Sequence, residues 1–417
     1  MTYANWALTS NAMGKKETNF KQTDIGLIPH DWEVITIGDG FKFITNNTLS
    51  RSQLTSKGSV LNVHYGDVHV RFSEVLDLEK STLPFINSGI RRNAKPYLID
   101  GDIVMADTAE DETVGKSCEI QNVGAWKVEA GLHTFVMRPT QRYASRFLGY
   151  FINSKSFHSQ LLPLIQGTKV YSVTKGDLKG TAVIKPPIEE QKRIAEVLSH
   201  FDEHIDNLAA LLEKRRQVKA ATMHALLSGA TRLPGFTAPW KKRTIEQISN
   251  RYDNLRVPVA ENLRVKGSTP YYGANGIQGY VQGYTHDGEY VLIAEDGAND
   301  LSNYPTQYIM GKIWVNNHAH VLQGKFGQCS TCFLSYALKT PNYKEIVVGG
   351  ERAKLNAKNL MEIELFIPTK LEEQSAIASV LSNMDRGIEA LEEQIEKYRQ
   401  MKEGAMEELL TGKVRLI

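Results

Sequence analysis

The sequence predicts a mixed α/β (α+β) fold in which two globular domains, each a small twisted β-sheet with helices, alternate with two long antiparallel helices. The main observation is an internal repeat, because segment 189–229 returns as 372–412, 183 residues further along, with about half of its positions identical. A repeat of this length indicates duplicated structural units. The segments between the copies differ far more, so two helical parts resemble each other while two globular parts do not.

The bulk composition is that of an ordinary globular protein. The chain has 417 residues, enough for two or three domains, and a net charge of +2, so any basic surface is expected to be local. No apolar run reaches the roughly 18 residues of a membrane-spanning helix. Three cysteines favour a reducing compartment over a disulfide scaffold. These features predict a cytoplasmic protein with no membrane partner.

The elements are predicted in the order tail, domain, helix, domain, helix. The N-terminal residues are polar and lack periodicity, which predicts a flexible tail. Short apolar runs bounded by Gly and Asp, such as Val34–Ile37, are typical of strands in the globular parts. The predicted boundaries are 1–20 for the tail, 21–184 for the first domain, 185–231 for the central helix, 232–367 for the second domain and 368–417 for the C-terminal helix.

The two globular domains share weak signs of common descent. Trp32, Thr36 and Ile37 correspond to Trp240, Thr244 and Ile245 at an offset of 208 residues. Near the middle of each domain, the run 101–106 loosely corresponds to 288–294, and both runs have the apolar composition of a strand. We therefore expect one domain fold used twice.

Both long helices have predicted ends and an apolar stripe. Pro186-Pro187 precedes the first helix, and Gly229 and Gly412 are suited to C-terminal caps. In the second copy, apolar residues from Ile377 to Tyr398 alternate steps of four and three, the period of a coiled coil. A helix of ~40 residues is ~60 Å long, too long to bury its stripe on one small domain. We therefore predict that the two helices pair antiparallel about a pseudo-twofold axis.

Polar residues also recur in the helical repeat, although an apolar stripe does not require them. We interpret these faces as docking surfaces for two copies of one partner, as pseudo-twofold symmetry would require. The candidate partner-binding residues are Glu190, Gln191, Lys214, Arg216 and Gln217 in the first copy, and Glu373, Gln374, Lys397, Arg399 and Gln400 in the second.

Several motifs resemble those of a known family. They are the Glu-Glu-Gln opening of each helix, the Trp-led domain starts, and the segments 167–170, 271–276 and 315–320, which read GTKV, YYGANG and VNNHAH. Their order, and the duplication from about residue 25 onwards, resembles the specificity subunit of type I restriction-modification enzymes. The single motifs are weak, whereas their order is specific.

The resemblance implies a division of labour. Each globular domain would be a target recognition domain that reads one half of a bipartite double-stranded DNA target. The helices would set the spacing and dock two methyltransferase (modification) subunits, through which restriction and translocase subunits join the complex. The subunit itself would be non-catalytic, with no cofactor and no metal. Changing the helix length should change the gap between the two half-sites and leave the base sequence of each half-site unchanged.

Candidate DNA contacts follow from side-chain chemistry. Basic groups position the phosphate backbone, while Asn, Gln and Arg side chains can read base edges. The first-domain candidates are Asn46, Asn47, Arg91, Arg92, Lys95, Lys169, Tyr171 and Lys175. The second-domain candidates are Lys241, Lys242, Arg243, Tyr271, Tyr272, Asn275, Lys354, Asn356 and Lys358.

Two alternative functions remain open from the residues. One is a coiled-coil adaptor whose globular domains bind proteins. The other is a zinc-dependent enzyme that uses His318, His320, Cys329 and Cys332, because one C-x-x-C with nearby histidines could form a tetrahedral site. The sequence lacks the Asn-Pro-Pro-Tyr or Asp-Pro-Pro-Tyr motif of adenine-amino methyltransferases, so methyl transfer would come from a partner.

Overall fold

The computed structural model describes residues 19–90, 93, 95–347 and 354–417. The chain forms two compact units. The first runs up to Leu208 and resumes at Gln394–Ile417, and the second is Ala209–Glu393. Of the predicted tail, residues 1–18 lie outside the described residues, and Phe20 already begins a strand.

The first unit contains a five-stranded sheet, a four-stranded sheet and three two-stranded ladders. Its main sheet has the order β4-β13-β9-β11-β7, and the four-stranded sheet has the order β12-β6-β8-β5. The ladders are β1-β2, β3-β15 and β10-β14. The strands are β1 (Phe20–Thr23), β2 (Gly26–Pro29), β3 (Glu33–Thr36), β4 (Phe41–Ile44), β5 (Leu54–Thr55), β6 (Leu61–Val63), β7 (Val75–Asp77), β8 (Phe85–Ile86), β9 (Ile103–Ala106), β10 (Thr108–Ala109), β11 (Ser117–Gln121), β12 (Val128–Ala130), β13 (Thr134–Pro139), β14 (Tyr171–Ser172) and β15 (Ala182–Lys185).

The second unit contains a six-stranded sheet of order β17-β22-β20-β21-β18-β19 and the ladder β16-β23. Its strands are β16 (Trp240–Thr244), β17 (Ser249–Arg251), β18 (Lys266–Gly273), β19 (Gly276–Val281), β20 (His286–Ala294), β21 (Thr306–Val315), β22 (Ala319–Gly324) and β23 (Glu364–Pro368).

The α-helices of the described residues fall into short domain helices and two long ones. The short helices are α1 (Ile37–Gly40), α2 (Tyr65–Val70), α3 (Phe147–Ile152), α4 (Lys155–Leu161), α5 (Lys175–Lys179), α7 (Ile245–Ile248), α8 (Thr331–Ala337), α9 (Tyr343–Ile346) and α10 (Ala357–Glu362). The long helices are α6 (Ile188–Leu227) and α11 (Leu371–Leu409).

The main sheet of the first unit has the same topology as five of the six strands in the main sheet of the second, which adds β19 at its edge. Strand β9 pairs antiparallel with β13 and β11, and β11 pairs parallel with β7. Strand β20 likewise pairs antiparallel with β22 and β21, and β21 pairs parallel with β18. The predicted correspondence between 101–106 and 288–294 is therefore confirmed, because these runs form the equivalent central strands β9 and β20. The four-stranded sheet of the first unit has no counterpart among the described strands of the second.

The long helices end just before the two glycines that the sequence predicted as C-terminal caps. Gly229 and Gly412 adopt φ of 74° and 70°, in the left-handed region that favours glycine. A Cβ atom on Gly412 would lie 2.3 Å from Cγ of Pro29 and 3.1 Å from Cη2 of Trp32, so this position also needs the absence of a side chain. The first helix begins directly after Pro187, whose carbonyl accepts the amide of Glu190 at 2.9 Å.

The helices run antiparallel within each unit. In the first unit, the rings of His204 and Tyr398 lie 4.2 Å apart, and Lys402 contacts Asp202 at 2.6 Å. In the second unit, Arg216 of α6 contacts Glu392 of α11 at 2.5 Å, and Lys219 contacts Asp385. Residue numbers rise along α6 as they fall along α11 in both units. The predicted fold class is confirmed.

The apolar stripe is buried in different surroundings along its length. At the helix starts, Ile194 and Leu198 pack into the core of the first unit, and Ile377 and Leu381 pack into that of the second. Near the middle, Leu208, Leu212 and Ile395 are buried outside those cores. The cores at the helix starts also contain the end of the other long helix, through Met406 and Leu409 in the first unit and through Leu226 and Leu227 in the second. The domains therefore cover part of the stripe that the prediction assigned to the other helix alone.

Candidate nucleic-acid interface and helix junctions

A buried carboxylate joins three parts of the first unit. Glu190, in the first turn of α6, is 2% exposed. Its Oε1 accepts Nε of Arg415 at 2.7 Å, and its Oε2 accepts the indole Nε1 of Trp32 at 3.0 Å. Arg415 also contacts Asp31 at 2.8 Å and lies over the Trp32 ring. Hydrogen bonding and charge from Arg415 hold the pKa of Asp31 below its ordinary value. We call this group the first junction.

The second unit repeats this arrangement. Glu373, in the first turn of α11, is fully buried. It accepts Nε of Arg232 at 2.5 Å and the indole Nε1 of Trp240 at 3.2 Å. Arg232 and Arg415 stand 183 residues apart, as do the two glutamates. In each junction, the arginine that follows the end of one long helix therefore neutralises the carboxylate at the start of the other.

The glutamines beside these glutamates are also internal. The Oε1 of Gln191 accepts the amide of Ala144 at 2.9 Å, and the Oε1 of Gln374 accepts the amide of Ser330 at 2.9 Å. Gln191 and Gln374 are 1% and 0% exposed. Four of the ten predicted partner-binding side chains thus bind groups of their own unit and offer little surface to another protein.

The other six predicted partner-binding residues are exposed, and the two glutamines among them repeat their contacts. Gln217 donates to Glu213 at 3.0 Å, and Gln400 donates to Glu396 at 3.1 Å. The exposed set consists of Lys214, Arg216 and Gln217 on α6, and Lys397, Arg399 and Gln400 on α11.

Several predicted DNA contacts of the first domain have structural partners. Asn47 is 3% exposed and donates to Asn62 at 2.9 Å and to Glu129 at 3.1 Å. The same glutamate accepts the amide of Lys95 at 3.3 Å, so the structure brings Asn47 and Lys95 together. Asn46 is half-buried and donates to the carbonyl of Gly131 at 2.8 Å. Arg91 and Arg92 lie outside the described residues.

The remaining first-domain candidates lie near the end of the central strand β9. The amide of Val173 donates to the carbonyl of Asp107. Strand β14, which contains Tyr171, pairs with β10, and β10 begins directly after Asp107. The exposed Lys175 lies over the Phe135 ring at 5.5 Å, and Lys169 is exposed in the preceding loop.

Sequence reasoning missed several groups at this strand end. The amide of Asp107 donates to the carbonyl of His133, and their side chains are 3.4 Å apart. Burial raises the pKa of Asp107, against the lowering effect of His133. The Tyr65 ring lies 5.4 Å from that of His133, and His69 contacts the Thr108 carbonyl at 2.8 Å. We call the surface formed by Tyr65, His69, Asp107, His133, Tyr171 and Lys175 the first strand-end site.

An equivalent surface follows β20 in the second unit. The amide of Glu295 donates to the carbonyl of His318 at 2.9 Å, as that of Asp107 does to His133. The amide of Leu355 donates to the carbonyl of Glu295 at 2.7 Å, and Lys354 contacts the Glu295 side chain at 2.9 Å. Asn275 donates to the carbonyl of Gly297 in the same loop at 2.8 Å. We call the surface formed by Asn275, Glu295, Asp296, His318 and Lys354 the second strand-end site.

The other second-domain candidates are separated from one another. Tyr271 and Tyr272 are buried in β18, where the Tyr271 hydroxyl accepts the Val259 amide at 3.0 Å. Asn356 accepts the amide of Asn359 at 2.9 Å as the N-cap of α10, and Lys358 is exposed on that helix. The basic run Lys241, Lys242 and Arg243 is exposed on β16, in a different sheet from the two tyrosines.

One acidic group has the ligand types of a metal site. Among the described residues, Asp253, Glu295 and His320 offer ligand atoms within 4.8 Å of one another. Both His320 nitrogens are already hydrogen-bonded, to Asp253 at 2.6 Å and to the Leu355 carbonyl at 2.8 Å. Arg256 contacts Glu295 at 2.7 Å, so the carboxylates already face a cation. The group has the contacts of an internal ion-pair network.

The cysteines do not join a zinc-type cluster within the described residues. Cys329 is buried, and burial raises the pKa of its thiol to about 12. Burial also raises the pKa of Cys332. Neither cysteine belongs to a group of three or more metal-ligand residues in the part of the chain that the structure describes. The structure therefore does not bring the four residues of the zinc hypothesis into one such group.

No helix within the described ranges combines the length and apolarity that crossing a membrane requires.

Comparison with known proteins gives concordant results. A Haemophilus influenzae protein, named for the type I restriction enzyme specificity subunits, is 46% identical over 149 residues, 36% of this chain and 38% of that protein. A Methanocaldococcus jannaschii protein named for the MjaX specificity subunit is 26% identical over 432 residues, 96% of this chain and 98% of that protein. The chain thus spans less than half of the first relative and nearly all of the second.

A solved structure supports the fold. The crystal structure of the S subunit of a type I restriction-modification system from M. genitalium superposes with a TM-score of 0.60 at 19% identity, and covers 95% of this chain and 97% of that one. Residues 29–214 and 238–398 match the family described as the type I restriction modification DNA specificity domain. These residues make up most of the chain, and the protein therefore belongs to the type I restriction-modification DNA specificity subunits.

Proposed function

We propose that each unit contains one target recognition domain and that each domain reads one half of a bipartite DNA sequence. The observation that carries this proposal is the repetition of one sheet topology with different surface residues. Two readers of the same architecture but different side chains suit two unequal half-sites. The predicted domain boundaries 21–184 and 232–367 remain part of the proposal.

We assign base contact to the two strand-end sites. Each site combines a carboxylate, a histidine and an exposed lysine beside the end of the central strand, through Asp107, His133 and Lys175 or through Asp296, His318 and Lys354. A lysine can grip phosphate, and a carboxylate can accept the amino group of cytosine. Because the flanking aromatic and amide groups differ between the sites, the two half-sites should differ in sequence.

The methyl transfer belongs to partner subunits in this proposal, and the chain itself is non-catalytic. The exposed repeated residues Lys214, Gln217, Lys397 and Gln400 present the same chemistry twice, as docking of two copies of one methyltransferase subunit requires. Restriction and translocase subunits would join through that complex. The cytoplasmic location is a further part of the proposal, consistent with free cysteines.

The decisive experiment maps adenine methylation. The chain is co-expressed with the methyltransferase subunits of its own system in a host without other adenine methylation, and the genome is then sequenced for modified bases. We expect methylation at one bipartite motif with a fixed gap. Methylation that requires this chain but follows no motif would contradict the proposal.

A mobility shift separates DNA reading from the adaptor alternative. The purified complex is mixed with a duplex that carries the mapped motif and with a duplex in which one half-site is scrambled. Selective retardation of the first duplex is the expected result. Equal affinity for both duplexes would favour a protein-binding adaptor.

A further inference from the structure

A buried lysine connects three elements of the first unit outside the strand-end site. Nζ of Lys402 on α11 lies 2.6 Å from Asp202 on α6 and 2.6 Å from Glu74, which precedes β7. The hydroxyl of Tyr150 on α3 donates to Asp202 at 2.6 Å, and the lysine lies over the tyrosine ring at 5.3 Å. Lys402 is 9% exposed, so this charge is largely removed from water.

The second unit contains the same arrangement with the helices exchanged. The hydroxyl of Tyr336 on α8 donates to Asp385 on α11 at 2.6 Å, and Lys219 on α6 contacts that aspartate. The aspartates and the lysines are each 183 residues apart in the sequence, and the tyrosines are 186 apart. Each Tyr–Asp–Lys cluster therefore joins a domain helix to both long helices of its own unit.

The two clusters differ in their balance of charge. Lys402 faces two carboxylates, whereas Lys219 faces one carboxylate and has Lys339 nearby, over the Tyr336 ring. Burial lowers the pKa of Lys339, and the charge of Lys219 lowers it further. Removal of Lys402 would leave two acidic groups without their lysine, while removal of Lys219 would leave a second lysine beside Asp385.

We propose that the two Tyr–Asp–Lys clusters are positioning residues that fix how each recognition domain is held on the helix pair, and so restrict the gap length of the DNA target. This inference rests on the proposed function. A buried ion pair contributes little net stability against an apolar substitute, because desolvation offsets the attraction. Its hydrogen-bond geometry permits one register, whereas an apolar contact at the same place tolerates sliding.

The geometry of DNA makes such a restriction measurable. One extra base pair moves a half-site by ~3.4 Å along the duplex and rotates it by about 35°. A domain that can slide or turn on its helices would accept a neighbouring gap length. Discrimination between gaps should therefore depend on these clusters, while the letters of each half-site should not.

The test uses the full chain co-expressed with its methyltransferase subunits and mapped by genome methylation. The variant is Lys402→Met, which keeps the length of the side chain and removes its charge. We expect the same two half-sites, with discrimination against gaps one base pair longer or shorter reduced roughly tenfold, about 1.4 kcal/mol. Lys402→Arg should restore part of the discrimination, and Lys413→Met, at an exposed position just after the same helix, should leave it unchanged.

The outcomes separate the inference from the proposed function. If the wild-type chain directs no motif, the proposed function fails. If the wild-type chain directs a bipartite motif and Lys402→Met reduces methylation equally at every gap, the cluster is only structural and the inference is overturned. Should Lys402→Met yield no folded protein, Tyr150→Phe decides, because it removes only the hydroxyl that contacts Asp202: relaxed gap discrimination supports the inference, and unchanged discrimination overturns it.

Discussion

Glu190 illustrates why a polar residue can recur in a helical repeat without facing a partner. A carboxylate removed from water is costly unless it is paired and hydrogen-bonded. Here Arg415 supplies the opposite charge and the Trp32 indole a further donor. The same donors surround Glu373. The repeat of the glutamates follows from this internal requirement, which applies at both helix starts.

The first junction should be sensitive to loss of its carboxylate. Glu190→Ala leaves Arg415 with only the half-exposed Asp31 and leaves the Trp32 indole without its acceptor. Breaking a buried charge pair on one side typically costs roughly 3–5 kcal/mol. We expect a loss of this order in the free energy of unfolding, measured by urea denaturation. Glu189→Ala, at the exposed neighbour, should change stability by less than about 1 kcal/mol. Equal effects of the two substitutions would contradict this account.

Glu119 is expected to make the stability of the first unit depend on pH. Burial raises its pKa from 4.5 to about 7, against the hydrogen bonds from the Gly149 and Arg146 amides. Between these two pH values the folded protein holds a proton that the unfolded chain has lost. The free energy of unfolding should therefore fall as pH rises through this window, by on the order of 3 kcal/mol in total.

The measurement is urea denaturation at several pH values between 4.5 and 7. Glu119→Gln removes the titrating group and should flatten the decline. Glu112→Gln, on the surface, serves as the control and should retain it. A decline that persists unchanged in Glu119→Gln would assign the pH dependence to other groups.

The sequence identified which polar helix residues recur, but could not divide them by role. Identity at an offset of 183 residues is equally compatible with an exposed docking face and with a buried pair. Lys214 and Lys219 recur in the same way, yet Lys214 is exposed while Lys219 contacts Asp385. The distinction depends on tertiary packing, which local spacing does not encode. The strand-end carboxylates were missed for a similar reason, since neither belongs to a motif.

At the scale of elements, the long helices show what periodicity can and cannot predict. The positions of the stripe and of the terminal glycines were predictable, because both depend on local geometry. The change of surroundings along the stripe was not predictable, because Leu198 in a domain core and Leu208 outside that core have the same local pattern. Only the placement of the domains decides which apolar surface each residue meets.

The middle of the helix pair should depend on its few buried side chains. Leu212 is 9% exposed, whereas its neighbour Leu211 is 39% exposed. Leu212→Ala removes buried methyl groups and leaves a cavity, at a cost of roughly 2–5 kcal/mol. Leu211→Ala should cost much less. Thermal unfolding followed by circular dichroism would compare the two, and a larger loss for Leu211→Ala would contradict the observed packing.

For the whole molecule, the alternation of domains and helices was predictable and the strand order was not. The sequence repeat predicted two domains of the same architecture, which begin near Trp32 and Trp240. The order β4-β13-β9-β11-β7 joins strands distant in sequence, and no local pattern specifies such pairings. The duplication supplies a check that a single copy lacks, because the same order recurs in the second unit.

This modular architecture leads to a prediction about exchange of a domain. Replacing residues 33–180 with the corresponding segment of another family member leaves Trp32, α6 and both junction glutamates in place. The second unit supplies its own sheet and its own strand-end site, so its contacts do not depend on the replaced segment. Methylation mapping of the chimera should therefore show one altered half-site, with the other half-site unchanged. A chimera that alters both half-sites would show that base recognition is shared between the units, and one that alters neither would place recognition outside the exchanged segment.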